Sequence, residues 1–183
     1  LDAPTLLLLF ALMILSAQFR LGGFYTWTVL RLGALVDRPR LFLAWVMGVS
    51  ALFSALLVND VVCLAFTPIL AATLLRAGLN PIPFLVGMAV ASNIGSAATI
   101  IGNPQNMLIG QVGGLHFGRF LLWCAPPALL SLLAAYAVIL FLFRRGWAGA
   151  PPAADAAGPW PVFNRHQSLK LAAALLVLLV FFF

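Results

Sequence analysis

Ser92-Asn93-Ile94-Gly95-Ser96-Ala97-Ala98-Thr99-Ile100-Ile101-Gly102-Asn103-Pro104-Gln105-Asn106 is a polar, glycine-punctuated string with apolar sequence on both sides. Before it, Ile82 to about Ser92 reads as a helix of eleven residues. That is about 16 Å at ~1.5 Å per residue, roughly half of a ~30 Å bilayer core. After it, a second half-length helix is expected from about Pro104 to Leu115, opened by Asn103 as N-cap and by a first-turn proline. The two halves and their linker read as one discontinuous spanning element over 82–115. Backbone that is not helical at membrane depth has to line a cavity or pack inside protein. The linker is therefore the first place to look for a site.

Working toward the N-terminus, Leu41 to Val58 and Val61 to Leu75 are two apolar arms separated only by Asn59 and Asp60. Two residues make a poor external loop, so the arms read as a re-entrant helical hairpin over 41–76, with Asn59 and Asp60 at its tip and Pro68 bending the second arm. Earlier still, a spanning helix is expected over 4–20. Over 24–36, Tyr25, Trp27 and Arg31 lie between Arg20 and the group Asp37, Arg38 and Arg40. That mixture favours a short interfacial helix, the alternative being a helical extension packed on its neighbours.

Working toward the C-terminus, a spanning helix is expected over 120–143, with Pro126 and Pro127 near its start. A Pro/Ala/Gly-rich connector follows over 146–165, containing Trp147, Asp155 and Trp160. Residues 166–183 begin another transmembrane helix. Its apolar part, Leu171 to Phe183, is thirteen residues, about 20 Å and short of a ~30 Å core. The chain is accordingly expected to be part of a longer protein.

Composition narrows the class. Of 183 residues, 64% are hydrophobic and 8% charged, and the mean hydropathy is +1.12. Soluble domains carry about 25% charged residues, so the fold class is an all-α polytopic membrane protein. The net charge of +6 comes from ten bases scattered between apolar runs, which form no patch for nucleic acid. With the layout above, Arg20, Arg31, Arg38, Arg40, Arg76, Arg144, Arg145, Arg165 and Lys170 fall on one side and only Arg119 on the other. The positive-inside rule makes the crowded side cytoplasmic, in a multi-pass protein of the cell (inner) membrane. Cys63 and Cys124 both lie in apolar segments, where a structural disulfide is not expected. The chain has no HExxH, GxSxG, paired CxxC or P-loop pattern, so these motifs support neither an enzyme nor a bound cofactor. His116 and His166 have no partner at a metal-ligand spacing.

The dense polar clusters are Asn59 and Asp60, Ser54 about one turn before them, and the linker. An acid inside a membrane segment costs at least ~2.5 kcal/mol, so Asp60 is a functional-site residue by default, with a structural cap on the second arm as the other reading. Broken helices offer unpaired N–H groups and positive dipole ends, here at Val61 to Cys63 and at Gln105 to Met107, where an anion can be held. Linker carbonyls and Asn and Ser oxygens are hard ligands for a cation such as Na⁺. Gly95 and Gly102 permit close backbone approach, and Gly87 fits helix packing.

Ser54-Ala-Leu-Leu-Val-Asn59-Asp60 followed by Thr67-Pro68, and then Asn93-Ile-Gly95 through Thr99 to Gly102-Asn103-Pro104-Gln105-Asn106, resemble the paired signatures of the ion transporter superfamily. That group includes citrate transporter-like and SLC13-type permeases, divalent-anion/sodium symporters and arsenite pumps. The resemblance implies a secondary transporter of two inverted repeats, with this chain as the first repeat and the start of the next helix. Carried over by position, it implies Ser54, Asn59 and Gly95 as cation (Na⁺) ligands, with Asp60 beside them. It also implies Asn59, Thr99, Asn103 and Asn106 on the substrate side, and Gly102, Pro104 and Pro68 as structural residues. The tip reads Val58-Asn59-Asp60 rather than Ser-Asn-Thr, which departs from the dicarboxylate pattern and is similar to the Asn-Asp of the arsenite and citrate–metal branches. A negative charge there opposes a carboxylate unless a cation or proton neutralises it.

The expected function is secondary active transport of a small anion, a di- or tricarboxylate or an oxyanion such as arsenite or sulfate, coupled to Na⁺ or H⁺. The expected partners are that anion and the lipid bilayer, with a homodimer in full-length form. A passive channel with half-helices meeting at mid-membrane is the alternative, and a non-transporting membrane subunit or receptor is a third reading.

Overall fold

In the computed structural model, residues 3–144, 146–149 and 162–182 are described; Asp2, Arg145, Asp155, Trp160 and most of the connector lie outside them. The described residues form helices α1 (Ala3–Leu21), α2 (Phe24–Leu32), α3 (Pro39–Leu56), α4 (Asn59–Arg76), α5 (Ile82–Ala97), α6 (Pro104–Val112), α7 (Phe117–Leu142) and α8 (Arg165–Phe182). The described residues form an all-helical polytopic membrane fold. α3, α4 and α7 are each long and apolar enough to cross a bilayer, and α1 with α2 qualifies as a pair bent by 58°.

Five of the boundaries differ from the sequence reading. α2 ends at Leu32 and gives way to a 3-10 turn over Gly33–Leu35; its Tyr25 and Val29 are buried while Trp27 and Arg31 remain exposed, the guanidinium 5.6 Å over the indole ring. The hairpin turn falls at Leu57 and Val58, both extended, so Asn59 and Asp60 belong to the first turn of α4 rather than to a tip between helices. α5 does not stop near Ser92 but runs to Ala97. Its polar residues bond back into their own helix, Asn93 Nδ2 donating to the Ala89 carbonyl (3.3 Å) and Ser96 Oγ to the Asn93 carbonyl (2.9 Å). The break is therefore shorter, Ala98 to Asn103, and α6 ends at Val112 rather than Leu115. α7 begins three residues earlier than expected, which places Pro126 and Pro127 well inside it.

α3 and α5 pack along their whole length in one register. Leu43 lies beside Gly87, Ala51 beside Gly95 and Ala55 beside Thr99, so the two helices run parallel. A Cβ at Gly95 would overlap the backbone of Ala51, and one at Gly87 would come within 2.8 Å of Leu43. Small residues at the crossing let backbones approach where hydrophobic driving force between helices is weak. At the other end of the pair, the turn between α4 and α5 is tied to the segment after α7. Asn80 N–H donates to the Trp147 carbonyl (3.0 Å), Gly149 N–H to the Gly78 carbonyl (2.9 Å) and Asn80 Nδ2 to the Gly146 carbonyl (3.1 Å). Tyr136 Oη on α7 donates to the Arg40 carbonyl at the start of α3 (3.0 Å). One end of the molecule thus gathers the start of α3, the end of α4, the start of α5 and the end of α7.

α3 has 18 residues and α7 26, about 27 Å and about 39 Å at ~1.5 Å per residue. Two apolar clusters separate at the hairpin tip. One, around Phe42, Met47, Leu70 and Phe84, fills the space between the arms and α5. The other joins Leu12, Val58, Ile101, Met107 and Phe117 beyond the tip.

Candidate functional site

Between the two clusters lies a polar layer where four helix ends meet: the C-termini of α3 and α5 and the N-termini of α4 and α6. Each end leaves backbone groups without intrahelical partners, and the chain satisfies them across elements. Asn59 N–H donates to the Gly102 carbonyl in the α5–α6 break (3.3 Å). Thr99 Oγ1 donates to the Ala55 carbonyl at the end of α3. Asn106, in the first turn of α6, donates Nδ2 to the carbonyls of Thr99 (2.9 Å) and Ser96 (3.3 Å). Asn103 caps α6 by accepting the Asn106 N–H on Oδ1 (2.8 Å), with Pro104 behind it. Its Nδ2 donates to Ser96 Oγ (3.3 Å).

A second set of bonds joins α3, α4 and α5. Ser54 Oγ and Ser92 Oγ are 2.6 Å apart and both are fully buried. Ser92 Oγ also lies 3.3 Å from the Asn59 carbonyl oxygen, and Asn59 Nδ2 donates to Asn93 Oδ1 (3.0 Å). Asn59 is thus held through its N–H, its carbonyl and its side-chain amide.

Ser54, Asn59, Gly95, Thr99, Gly102, Asn103, Pro104 and Asn106 therefore fall in or beside one layer. The glycines act through space: Gly95 lets α5 touch the Ala51 backbone, and a Cβ at Gly102 would overlap the Ser96 carbonyl. Asp60 stands apart. It is exposed, one residue past Asn59, and makes no hydrogen bond or ion pair among the described residues. Nor is it the N-cap of α4, a position held by Val58, whose carbonyl takes the N–H groups of Val61 and Val62. Pro68 lies mid-helix and exposed, away from the layer.

Ser92, Ser96 and Asn93 were not singled out within the polar string, although they bond to the hairpin and the break. Their partners lie on other helices, Ser54 on α3 for Ser92 and Asn59 on α4 for Asn93, so neither segment alone carries the signal. Among the described residues no group of three or more His, Cys, Asp or Glu could hold a metal ion. The oxygens that this layer offers a cation are those of carbonyls, hydroxyls and amides.

Opposed helix ends and interlocked asparagines in a membrane chain are the setting in which the comparisons are informative. Residues 1–183 match the family described as citrate transporter. The chain belongs to the citrate transporter family. Among similar proteins, transporter arsB of Dictyostelium discoideum is 31% identical over 141 residues, 77% of this chain and 25% of that protein. An uncharacterized transporter of Mycobacterium tuberculosis is 34% identical over 145 residues, 77% of this chain and 33% of its own length. Silicon efflux transporter LSI3 of Oryza sativa subsp. japonica is 35% identical over 131 residues, 72% and 27% respectively. The chain spans a quarter to a third of the length of these relatives. No solved structure matches it.

Proposed function

We propose that the protein carrying this citrate transporter family chain is a secondary transporter of a small anion, coupled to Na⁺ or H⁺, and that the polar layer is its half of the site. The observation that carries this reading is the meeting of two helix N-termini with two helix C-termini at the level of Asn59. In the first turns of α4 and α6 the N–H groups of Asp60 and Gln105 have no intrahelical carbonyl to bond. Positive dipole ends there suit an anion, and the carbonyl-rich ends of α3 and α5 suit a small cation. Asn59 lies on both sides of that division, with Ser54, Gly95 and Asp60 toward the cation and Thr99, Asn103 and Asn106 toward the substrate. Asp60 is the cation- or proton-linked group of this proposal. The names of the relatives support transport of a small solute.

The test is uptake into proteoliposomes containing the full-length protein, with citrate, succinate, sulfate and arsenite offered under imposed Na⁺ or pH gradients. Saturable uptake of one anion that collapses with one gradient is the expected result. Flux that neither saturates nor responds to either gradient would replace the transporter with the channel.

A further inference from the structure

A cleft of about 290 Å³ lies between α1, α2, the end of α3 and α8, and the proposed site does not use it. Phe19 and Leu57 are its buried apolar residues, and Ala172 and Leu176 are exposed at its rim. Its lining is apolar except for Ser168, which is only 7% exposed and whose hydroxyl has no hydrogen-bond partner among the described residues. Helical serines commonly bond the carbonyl of the preceding turn. Ser168 does not, so one donor faces an otherwise apolar cavity.

Two exposed bases neighbour lining residues of this cleft. Arg165 precedes Ser168 by three residues on the same face of α8 and is exposed, and exposed Arg20 follows Phe19 on α1. Gln167 Nε2 donates to Gln18 Oε1 (3.1 Å) and Asn164 N–H to the Gly22 carbonyl (2.9 Å), which holds the two helices together at this level. Trp27 stacks on Phe163 here, 5.2 Å between ring centroids. The four acids of the chain are Asp2, Asp37, Asp60 and Asp155, none of them in 3–36 or 162–182. Bases mixed with aromatics mark a membrane interface.

An occupant matching these features has an apolar tail, a hydrogen-bond acceptor about one helical turn from an anionic group, and access from the bilayer. We propose that the cleft binds one acyl chain of an anionic phospholipid, with an ester carbonyl accepting from Ser168 Oγ and the phosphate beside Arg20 and Arg165. At about 290 Å³, the cavity is at the small end of ligand pockets, ~300–1,000 Å³, and takes part of one chain. That chain lies on Leu56, the last residue of α3, and on Leu57 in the hairpin turn, and braces the tip.

The test is native mass spectrometry of the full-length protein after exchange into detergent with phosphatidylglycerol or phosphatidylcholine. The wild type is expected to retain phosphatidylglycerol in preference to phosphatidylcholine. Ala172→Trp, which fills the cleft from its exposed rim, and Arg165→Gln should each lower retention by about tenfold. Ser168→Ala should lower it less and leaves the fold undisturbed, so it serves if the tryptophan variant fails to express. Equal retention of both lipids, or retention unchanged in Ala172→Trp and Ser168→Ala, overturns the proposal. So does a Ser168→Cys variant that stays unreactive to a lipid-soluble thiol reagent after delipidation, because a later segment of the protein then fills the cleft.

Discussion

Ser54 and Ser92 share one short hydrogen bond in full burial, and neither has water to fall back on. Removing the Ser92 hydroxyl strands that of Ser54, which has no other partner among the described residues, at a cost of about 1–3 kcal/mol, whereas Ser92 without Ser54 keeps the Asn59 carbonyl. Ser92→Ala should therefore lower the thermal unfolding temperature of the full-length protein, and Ser54→Ala/Ser92→Ala should cost less than the two single changes added. Additive effects would show that the hydroxyls do not depend on each other. Asp60 belongs to the opposite case, exposed and with no side-chain partner among the described residues. Asp60→Asn keeps size and removes charge, so stability should hold while the Na⁺ or pH dependence of uptake disappears. Uptake with its ion dependence intact would remove Asp60 from the coupling mechanism.

At the scale of elements, the decisive contact is the α3–α5 crossing. Gly95→Ala drives a Cβ into the Ala51 backbone, which has no rotamer with which to yield. Overpacking against side chains alone costs about 1–3 kcal/mol, and backbone overlap should exceed that, read as loss of a monodisperse full-length protein. Gly48→Ala is the matched control, since a Cβ there meets nothing within 4 Å and alanine favours a helix by up to ~1 kcal/mol. A normal Gly95→Ala protein would mean that the helices do not cross this closely. The hairpin and the interrupted helix were legible because long apolar runs bounded by Asn-Asp, Asn-Pro and glycine leave few other arrangements. The Asn103–Pro104 cap was legible from two residues, since the capping bond is local. The end of α5 was not, because Asn93 and Ser96 look like linker in sequence and become helix only by bonding to their own preceding turn. That most of the singled-out polar residues would lie near one another was legible, but their wiring was not. Asn59 and Thr99 were singled out, yet the bonds that tie Asn59 to Asn93 and Thr99 to Ala55 join segments more than thirty residues apart.

At the scale of the whole molecule, the gathered ends make topology testable. Arg40, Arg76, Asn80 and the Gly146–Gly149 segment converge through the Tyr136–Arg40 and Asn80–Trp147 bonds. His116 and Arg119 stand at the other end of the 26-residue α7. Charge asymmetry then sets the direction, since Arg38, Arg40, Arg76 and Arg144 share the first end and Arg119 marks the second. With Cys63 and Cys124 replaced by serine in the full-length protein, His116→Cys should react with a membrane-impermeant maleimide added to intact cells. Ala77→Cys, beside the α4–α5 turn, should react only after the membrane is opened. Both positions are in surface turns, so neither change disturbs the core. If both cysteines label from outside, α7 does not separate the two ends across the bilayer and the hairpin is not re-entrant from the basic side. If only Ala77→Cys labels from outside, the layout stands and its orientation is inverted, with the bases facing out.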